Sequence, residues 1–247
     1  MTPGTSSAEP AATDRRPARG WTIAWNLARI AMAALIVVAT IEQIRLAAAA
    51  AVGAGVSEST AVFRLLSFFT VQSNMLAAAV LTWGAVRAFA TRHRSDTAVF
   101  AVALACVTTY MLVTGLVYNL VLRAAGDADI MLGWSNDIHH IIAPAFMLSD
   151  LLIAPGRRRL PWRAIAVIVA YPVLWVAVTL IRGPHLISPS TGTTPWYPYP
   201  FLDPTTTSGG YAGVAAWVAG IAVIIAAIGL LVVLTGRLRT RKAHPRS

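Results

Sequence analysis

The chain has 247 residues, of which 57% are hydrophobic and only 12% are charged, and its mean hydropathy is +0.65. A soluble domain carries about twice that charged fraction, so the composition excludes an ordinary water-soluble fold and predicts one polytopic membrane domain. The net charge of +10 would suggest a nucleic-acid partner in a soluble protein. Because basic residues also flank membrane spans, we instead expect the lipid bilayer, and no nucleic acid, as the partner.

The N-terminal 20 residues are rich in Ala, Pro, Thr, Ser and Arg and lack apolar periodicity, which is typical of a disordered tail. The apolar run that follows, from Trp21 to about Ala51, is too long for the core of a cleaved signal peptide. Small-residue cleavage sites at 47–54 keep the signal peptide as the alternative. An uncleaved first span is the favoured interpretation.

An all-α domain with six transmembrane helices is predicted over 21–236, because six apolar runs approach or exceed the roughly 20 residues that cross a bilayer. A basic cytoplasmic tail is predicted at 237–247, and a long Pro-, Thr- and Gly-rich loop at 182–210. The spans are expected near Trp25–Leu46, Ala61–Val86, Ala98–Leu122, Trp134–Ile153, Ala164–Ile181 and Tyr211–Leu234.

Lys and Arg are concentrated on one side of this arrangement, in the tails and in every second connection between spans. Fifteen of the twenty basic residues fall in the two tails and in the second-to-third and fourth-to-fifth connections. The positive-inside rule therefore places both termini in the cytoplasm of a multi-pass cell-membrane protein.

The second span contains an unusual polar cluster within the stretch 68–74: Thr70, Gln72, Ser73 and Asn74. Hydrocarbon penalises unpaired hydrogen-bonding groups, so we expect the cluster to face protein or trapped water. On a helix, Thr70 and Asn74 share a face and Gln72 points away from them.

The fourth span carries Asn136, Asp137, His139 and His140 near its outer end, at the same depth as Thr70. Asp137 and His140 share a helix face. The two adjacent imidazoles differ by about 100° around the helix, so only one of them points at any given pocket. Near the inner end of this span, Asp150 is expected to pair with an arginine of 157–163.

Three interpretations of these groups are open. His139 or His140 could act as a general base on the Thr70 hydroxyl, which would attack an acyl carbon, with Asn136 or Asp137 orienting the ring. A metal site at both imidazoles and Asp137 has poor geometry because neighbouring residues diverge, and no metal or cofactor is expected. The polar groups could also simply join helices.

The loop segment 196–204 contains Tyr199 and Phe201 among several prolines and aromatic residues. Aromatic residues at such a position are typical of the membrane interface. A loop stiffened by proline could also cap a pocket that holds Thr70 and the two imidazoles.

These stretches together resemble the bacterial Pr-six-Pr family of six-span inner-membrane proteins. The matching motifs are Phe-Thr-x-Gln-Ser-Asn at 69–74, His-His-x-x-x-Pro at 139–144 and Tyr-Pro-Phe-x-Asp at 199–203. The resemblance covers all six spans and excludes only the two tails.

A more remote resemblance is to the animal androgen-induced and androgen-dependent TFPI-regulating membrane proteins, which are threonine hydrolases of fatty acid esters. Their threonine stretch matches Thr70. Their histidine corresponds to His140 when counted from Trp134 and to His139 when counted back from Pro144, and His140 is preferred. Residues 72–74 have no equivalent in the animal motif.

The leading hypothesis is therefore an intramembrane lipid-ester hydrolase with Thr70 as nucleophile and His140 as base. Asn74, or Asn136 with Asp137, would orient groups or stabilise the oxyanion, and the site would open outward beneath Tyr199 and Phe201. The alternative is a non-enzymatic membrane protein for lipid binding, transport or scaffolding, whose polar cluster only holds helices together.

Overall fold

The computed structural model describes residues 19–53, 55, 57–91, 96–123, 133–188 and 192–243, and within these ranges the chain is helical and contains no strand. Most of the predicted N-terminal tail and the last four residues lie outside the described residues. The helices are α1 (Arg19–Gly53), α2 (Glu58–Ser67), α3 (Phe69–Ala90), α4 (Ala98–Val117), α5 (Trp134–Asp137), α6 (Ala143–Ile153), α7 (Ala164–Arg182) and α8 (Tyr211–Ala243).

Two stretches of wider π-helix adjoin these elements. One, Tyr118–Leu122, continues α4, and the other, Ile138–Ile142, joins α5 to α6. The three consecutive segments from Trp134 to Ile153 are called the histidine helix below, because both imidazoles lie in its π-helical part.

Five helices in the described residues are long and apolar enough to cross a membrane: Arg19–Gly53, Phe69–Ala90, Ala98–Leu122, Ala164–His185 and Tyr211–Thr240. They correspond to five of the six predicted spans. The histidine helix corresponds to the predicted fourth span but is not among the five. It carries the polar residues Asn136, Asp137, His139, His140 and Asp150 along its length.

The predicted second span is not one continuous helix. Phe68 has an extended backbone, with φ −67° and ψ 134°, and separates α2 from α3. The apolar pattern runs through this position, so hydropathy alone places no break there. The polar cluster consequently begins at the N-terminus of α3.

α4 lies at the centre of the fold, where it packs against α3, α7, α8 and the histidine helix. It is the most buried of the five candidate spans, and α7 and α8 are among the least buried. Their outer faces expose apolar side chains such as Leu174 and Val223. Apolar surfaces of this kind suit contact with hydrocarbon.

A buried charge network joins α1 to the C-terminal end of the histidine helix. Asp150 is fully buried and accepts hydrogen bonds from Trp25 Nε1 at 2.7 Å and from Arg29 Nε at 2.8 Å. It also pairs with Arg157, which is the partner expected from the sequence. Removing one member of such a network would leave a buried charge uncompensated.

Asp96, in the connection before α4, provides a pH-dependent test of the region around this charge network. Burial raises the pKa of its carboxyl to about 6, although the nearby Arg157, Arg29 and Arg87 act in the opposite direction. The folded protein thus binds this proton more tightly than the unfolded chain does. Its contribution to the free energy of unfolding is therefore full below pH about 4 and is lost as the pH rises to about 6.

We expect Asp96→Asn to remove this pH dependence and to be more stable than wild type at neutral pH, by up to about 3 kcal/mol. Unfolding in detergent micelles between pH 4 and pH 8 would measure the difference between the two proteins. Wild-type and variant curves that stay parallel over this range would contradict the assignment.

Candidate functional site

The break at Phe68 leaves backbone groups without their helical partners, and side chains satisfy them. Gln72 Nε2 donates to the Leu66 carbonyl at 2.8 Å, and Trp175 Nε1 donates to the Ser67 carbonyl at 3.2 Å. The Gln72 carbonyl oxygen in turn accepts a hydrogen bond from the Tyr171 hydroxyl. Gln72 thus joins α2, α3 and α7, which accounts for an amide on the face opposite Thr70.

Thr70 is the second residue of α3, and its backbone N–H has no partner within the helix. The Tyr199 hydroxyl accepts this N–H at 3.2 Å and also lies 3.2 Å from Thr70 Oγ1. Both residues are buried. The loop therefore reaches Thr70, and one phenol bonds both the backbone and the side chain at the start of α3.

Aromatic packing fixes the ring of Tyr199 in this position. Phe68 meets it edge-on at 5.4 Å between ring centroids, and Phe201 stacks on it at 5.2 Å. Trp175 packs at 5.9 Å. Because the ring is enclosed on several sides, its hydroxyl has a fixed direction toward Thr70.

The next polar residues of the cluster join α3 to α4 and to the histidine helix. Ser73 Oγ donates to the Thr70 carbonyl at 3.0 Å and lies 3.1 Å from the Thr114 hydroxyl of α4. Asn74 Nδ2 donates to the Thr70 carbonyl at 2.9 Å and to the His139 carbonyl at 3.3 Å. Asn74 therefore connects the threonine motif to the histidine motif through their backbones, and both of its N–H groups are engaged.

Two local features of the histidine helix leave the carbonyls of His139 and His140 without their usual helical partners. In the π-helical stretch, the Ala143 N–H donates to the carbonyl of Ile138, five residues back, and not to the carbonyl of His139, four residues back. Pro144 has no N–H, so it cannot bond the His140 carbonyl in the usual way. The two carbonyls instead accept from side-chain amides of neighbouring helices, that of His139 from Asn74 and that of His140 from Asn119 at 3.1 Å.

His140 points toward α4. Its ring stacks on Tyr118 with 3.7 Å between centroids, and its Nδ1 lies 3.0 Å from the Asn136 carbonyl. A carbonyl oxygen can only accept, so Nδ1 carries a proton, and in the neutral ring the lone pair is then on Nε2. Asn136 also donates to the Tyr118 hydroxyl at 2.6 Å, which fixes both rings of the stack.

His139 points the other way, toward α1, as expected for adjacent residues on a helix. Its Nε2 lies 3.1 Å from the hydroxyl of Thr40, which itself donates to the Ile36 carbonyl at 2.9 Å. His139 is fully buried. The sequence gives little indication of this pair, because hydropathy does not show which face of the first span meets the histidine helix.

A cavity of about 100 Å³ lies beside Thr70, between α4, α7, α8, the first residues of α3 and the loop. Most of its wall is apolar, and its polar side chains are Thr70, Thr114, Tyr118 and Tyr199. A concave apolar site with a few polar groups is the usual form of a small-molecule site.

The predicted site residues divide into four groups around this cavity. Thr70, Tyr199 and Phe201 line it. Asn74, Gln72 and Asn136 support its walls through the hydrogen bonds given above. His140 lies behind Tyr118, and His139 points toward α1, which contributes no residue to the cavity wall. Asp137 is exposed.

Two hydrogen bonds that the catalytic hypothesis requires are not present among the described residues. Within the described residues, neither imidazole is hydrogen-bonded to Thr70, and no hydrogen bond joins Asp137 to either ring. His140 instead reaches the backbone carbonyl of Asn136, four residues before it. In the same part of the chain, no group of three or more His, Cys, Asp or Glu side chains could hold a metal ion.

Comparison of the chain with protein-family models, curated proteins and solved structures finds no match. The assignment of a function therefore depends on the geometry of the site.

Gly115 offers a test of the contact between α4 and the histidine helix. A Cβ at this position would lie 3.1 Å from the His140 carbonyl oxygen and 3.1 Å from Pro144 Cβ. We expect Gly115→Ala to force the two helices apart and to lower the free energy of unfolding by about 1–3 kcal/mol, measured by thermal or denaturant unfolding in micelles.

Gly220→Ala is the matched control, because a Cβ there has open space around it within α8. Alanine should leave the stability unchanged or raise it by up to about 1 kcal/mol. If Gly115→Ala proves as stable as Gly220→Ala, the close approach of the two helices is wrong.

Proposed function

We propose that this chain is an integral membrane protein with six transmembrane helices and both termini in the cytoplasm. Five apolar helices of sufficient length support this arrangement, and the histidine helix packs among them as the sixth. The excess of Lys and Arg in the tails and in every second connection supports the placement of both termini in the cytoplasm. The cavity would then lie in the half of the membrane that faces away from the cytoplasm.

We propose further that the cavity binds a lipid ester and that Thr70 hydrolyses it. The observation that carries this proposal is the Thr70–Tyr199 hydroxyl pair at the polar end of an otherwise apolar cavity. An acyl chain suits the valine-rich wall formed by α4 and α7, and its ester carbonyl suits the polar end. Lipid would enter between α7 and α8, whose outer faces are apolar.

In the proposed reaction, Thr70 Oγ attacks the acyl carbon and forms an acyl-threonine ester, while the alcohol leaves with a proton. Water then attacks this ester, which releases the fatty acid and restores the hydroxyl. The attacked carbonyl oxygen becomes negative in each tetrahedral intermediate. Because Thr70 lies at the N-terminus of α3, the positive end of the helix dipole would stabilise that charge.

The Thr70 proton needs an acceptor, since a neutral hydroxyl is a poor nucleophile. Tyr199 can relay a proton, because its hydroxyl both donates and accepts. The proposed base is His140, whose Nδ1–H is fixed on the Asn136 carbonyl and whose Nε2 carries the lone pair. Tyr118 stacks on this ring and lines the cavity. His140 would therefore have to gain access to the cavity past Tyr118.

This function is the one that the resemblance to the animal threonine hydrolases implies, with Thr70 at their threonine and with His140 at their histidine when the count starts from Trp134. Residues 72–74, which the animal motif lacks, have local partners in this chain that require no role in the chemistry.

A second candidate function, lipid binding without hydrolysis, is favoured by one specific observation. The Tyr199 hydroxyl already accepts the backbone N–H of Thr70. Thr70 and Tyr199 would then only satisfy the hydrogen bonds at the N-terminus of α3, without taking part in chemistry. The cavity would bind a lipid and release it unchanged.

Labelling with a fluorophosphonate probe in lipid nanodiscs distinguishes the two functions. We expect wild type to be labelled and to hydrolyse a long-chain ester, and Thr70→Ala to lose both activities. His140→Gln should slow hydrolysis by about 100-fold or more, as expected for loss of a general base.

Thr82→Ala is the matched control, because Thr82 lies on the same helix and its hydroxyl bonds only the Ala78 carbonyl in the part of the chain that the structure describes. It should be labelled like wild type. Absence of labelling in wild type, or equal labelling of Thr70→Ala, would rule out the hydrolase. Native mass spectrometry that still detected a bound lipid in that case would support the binding function.

A further inference from the structure

The connection between the histidine helix and α7 carries four arginines within seven residues: Arg157, Arg158, Arg159 and Arg163. Arg157 turns inward and pairs with Asp150. The other three are exposed, and their guanidinium groups make no hydrogen bond or ion pair within the described residues. The described part of the chain therefore leaves the charge of these three arginines unneutralised.

The C-terminal part of α8 holds the backbone of this connection in place. Arg237 Nη1 donates to the Leu160 carbonyl at 2.7 Å, and Arg239 Nη2 donates to the Ala154 carbonyl at 2.7 Å. Both guanidinium groups bond backbone oxygens, so these contacts fix the path of the chain without neutralising any charge. The connection thus presents its arginines from a fixed position beside α8.

A partly open cavity of about 20 Å³ lies between this connection, the N-terminal half of α4 and the C-terminal part of α8. Arg157 and Arg158 line it, together with Asp96 and apolar residues such as Leu160. Arg157 Nε lies buried without a hydrogen-bond partner among the described residues. A water molecule needs roughly 10–15 Å³ measured in this way, so the cavity is large enough for a single oxygen atom of a ligand.

Arginines outnumber carboxylates around this cavity. The cations of the described residues there are Arg29, Arg87, Arg157, Arg158 and Arg239, and the carboxylates are Asp96 and Asp150. The excess of positive charge favours an anionic ligand. Asp96 is the acidic group in the wall and acts against an anion, so removal of its charge should strengthen binding.

We propose that this cavity and the exposed arginines beside it bind the phosphate group of an anionic phospholipid. Arg157 Nε would donate to one phosphate oxygen inside the cavity, and the Arg158 guanidinium would donate to the oxygens at its mouth. Charge-assisted hydrogen bonds from arginine suit phosphate in both charge and geometry.

The surroundings of the cavity favour a lipid over free phosphate. Trp162 is half exposed, and the Arg237 guanidinium lies 4.5 Å from the centroid of its ring. Tryptophan is enriched at the level of lipid headgroups. Above it, Val167 of α7 and Leu231 of α8 are exposed, so acyl chains could follow these apolar faces while the phosphate stays at the arginines.

This site shares no residue with the cavity beside Thr70. The inference rests on the proposed placement in a membrane, where this end of the bundle would face the cytoplasmic leaflet. It does not depend on whether Thr70 hydrolyses an ester.

Native mass spectrometry of the full chain from detergent micelles tests the site, with phosphatidylglycerol and phosphatidylcholine of identical acyl chains as probes. We expect wild type to bind phosphatidylglycerol about tenfold or more tightly than phosphatidylcholine, whose choline cation offsets the phosphate charge. Arg158→Gln should reduce this preference about fivefold, the contribution of one basic residue near an anionic lipid surface. Asp96→Asn should increase it at neutral pH, and a decrease would contradict the proposed cavity.

Arg123→Gln is the matched control, because it also removes one exposed arginine but lies beyond the opposite end of α4, near Asn119. It should keep the wild-type preference. An equal loss in Arg123→Gln and Arg158→Gln, or displacement of phosphatidylglycerol by an equal concentration of inorganic phosphate, would overturn the proposal. A wild type that inserts into nanodiscs but binds both lipids equally would also overturn it, while leaving the membrane placement intact.

Discussion

The structure of the site depends on backbone groups that lose their helical partners where water is scarce. The π-helical turn and Pro144 free the carbonyls of His139 and His140, and Asn74 and Asn119 bind them from α3 and α4. Unpaired backbone groups are too costly inside an apolar protein for these bonds to be optional. The amides therefore fix the histidine helix against its two neighbours.

The same requirement explains most of the polar cluster at the start of α3. Once Phe68 interrupts the helix, the Leu66 carbonyl is bonded by Gln72 and the Thr70 N–H by Tyr199. What backbone pairing leaves unexplained is the hydroxyl of Thr70, which faces another hydroxyl at the polar end of the cavity. The proposed chemistry rests on this one group, while its neighbours build the wall around it.

Much of the fold, and part of the candidate site, could be predicted from local sequence patterns. Apolar runs located the long helices, the Asp150–Arg157 pair followed from charges near a span end, and the divergence of His139 and His140 followed from helical geometry. Contacts between distant segments could not be predicted, because hydropathy does not say which faces meet. The Phe68 break, the Thr40–His139 pair and the cavity walls from α7 and α8 all belong to this class.

The central claim is that a lipid chain occupies the cavity beside Thr70. Photocrosslinking in nanodiscs tests it most directly, with a long-chain ester that carries a diazirine in its acyl chain and with adducts located by mass spectrometry. The account predicts adducts on buried cavity residues such as Val113 and Ile225, which excess unlabelled ester should suppress. Adducts confined to outward-facing residues such as Leu174 and Val223 would contradict it.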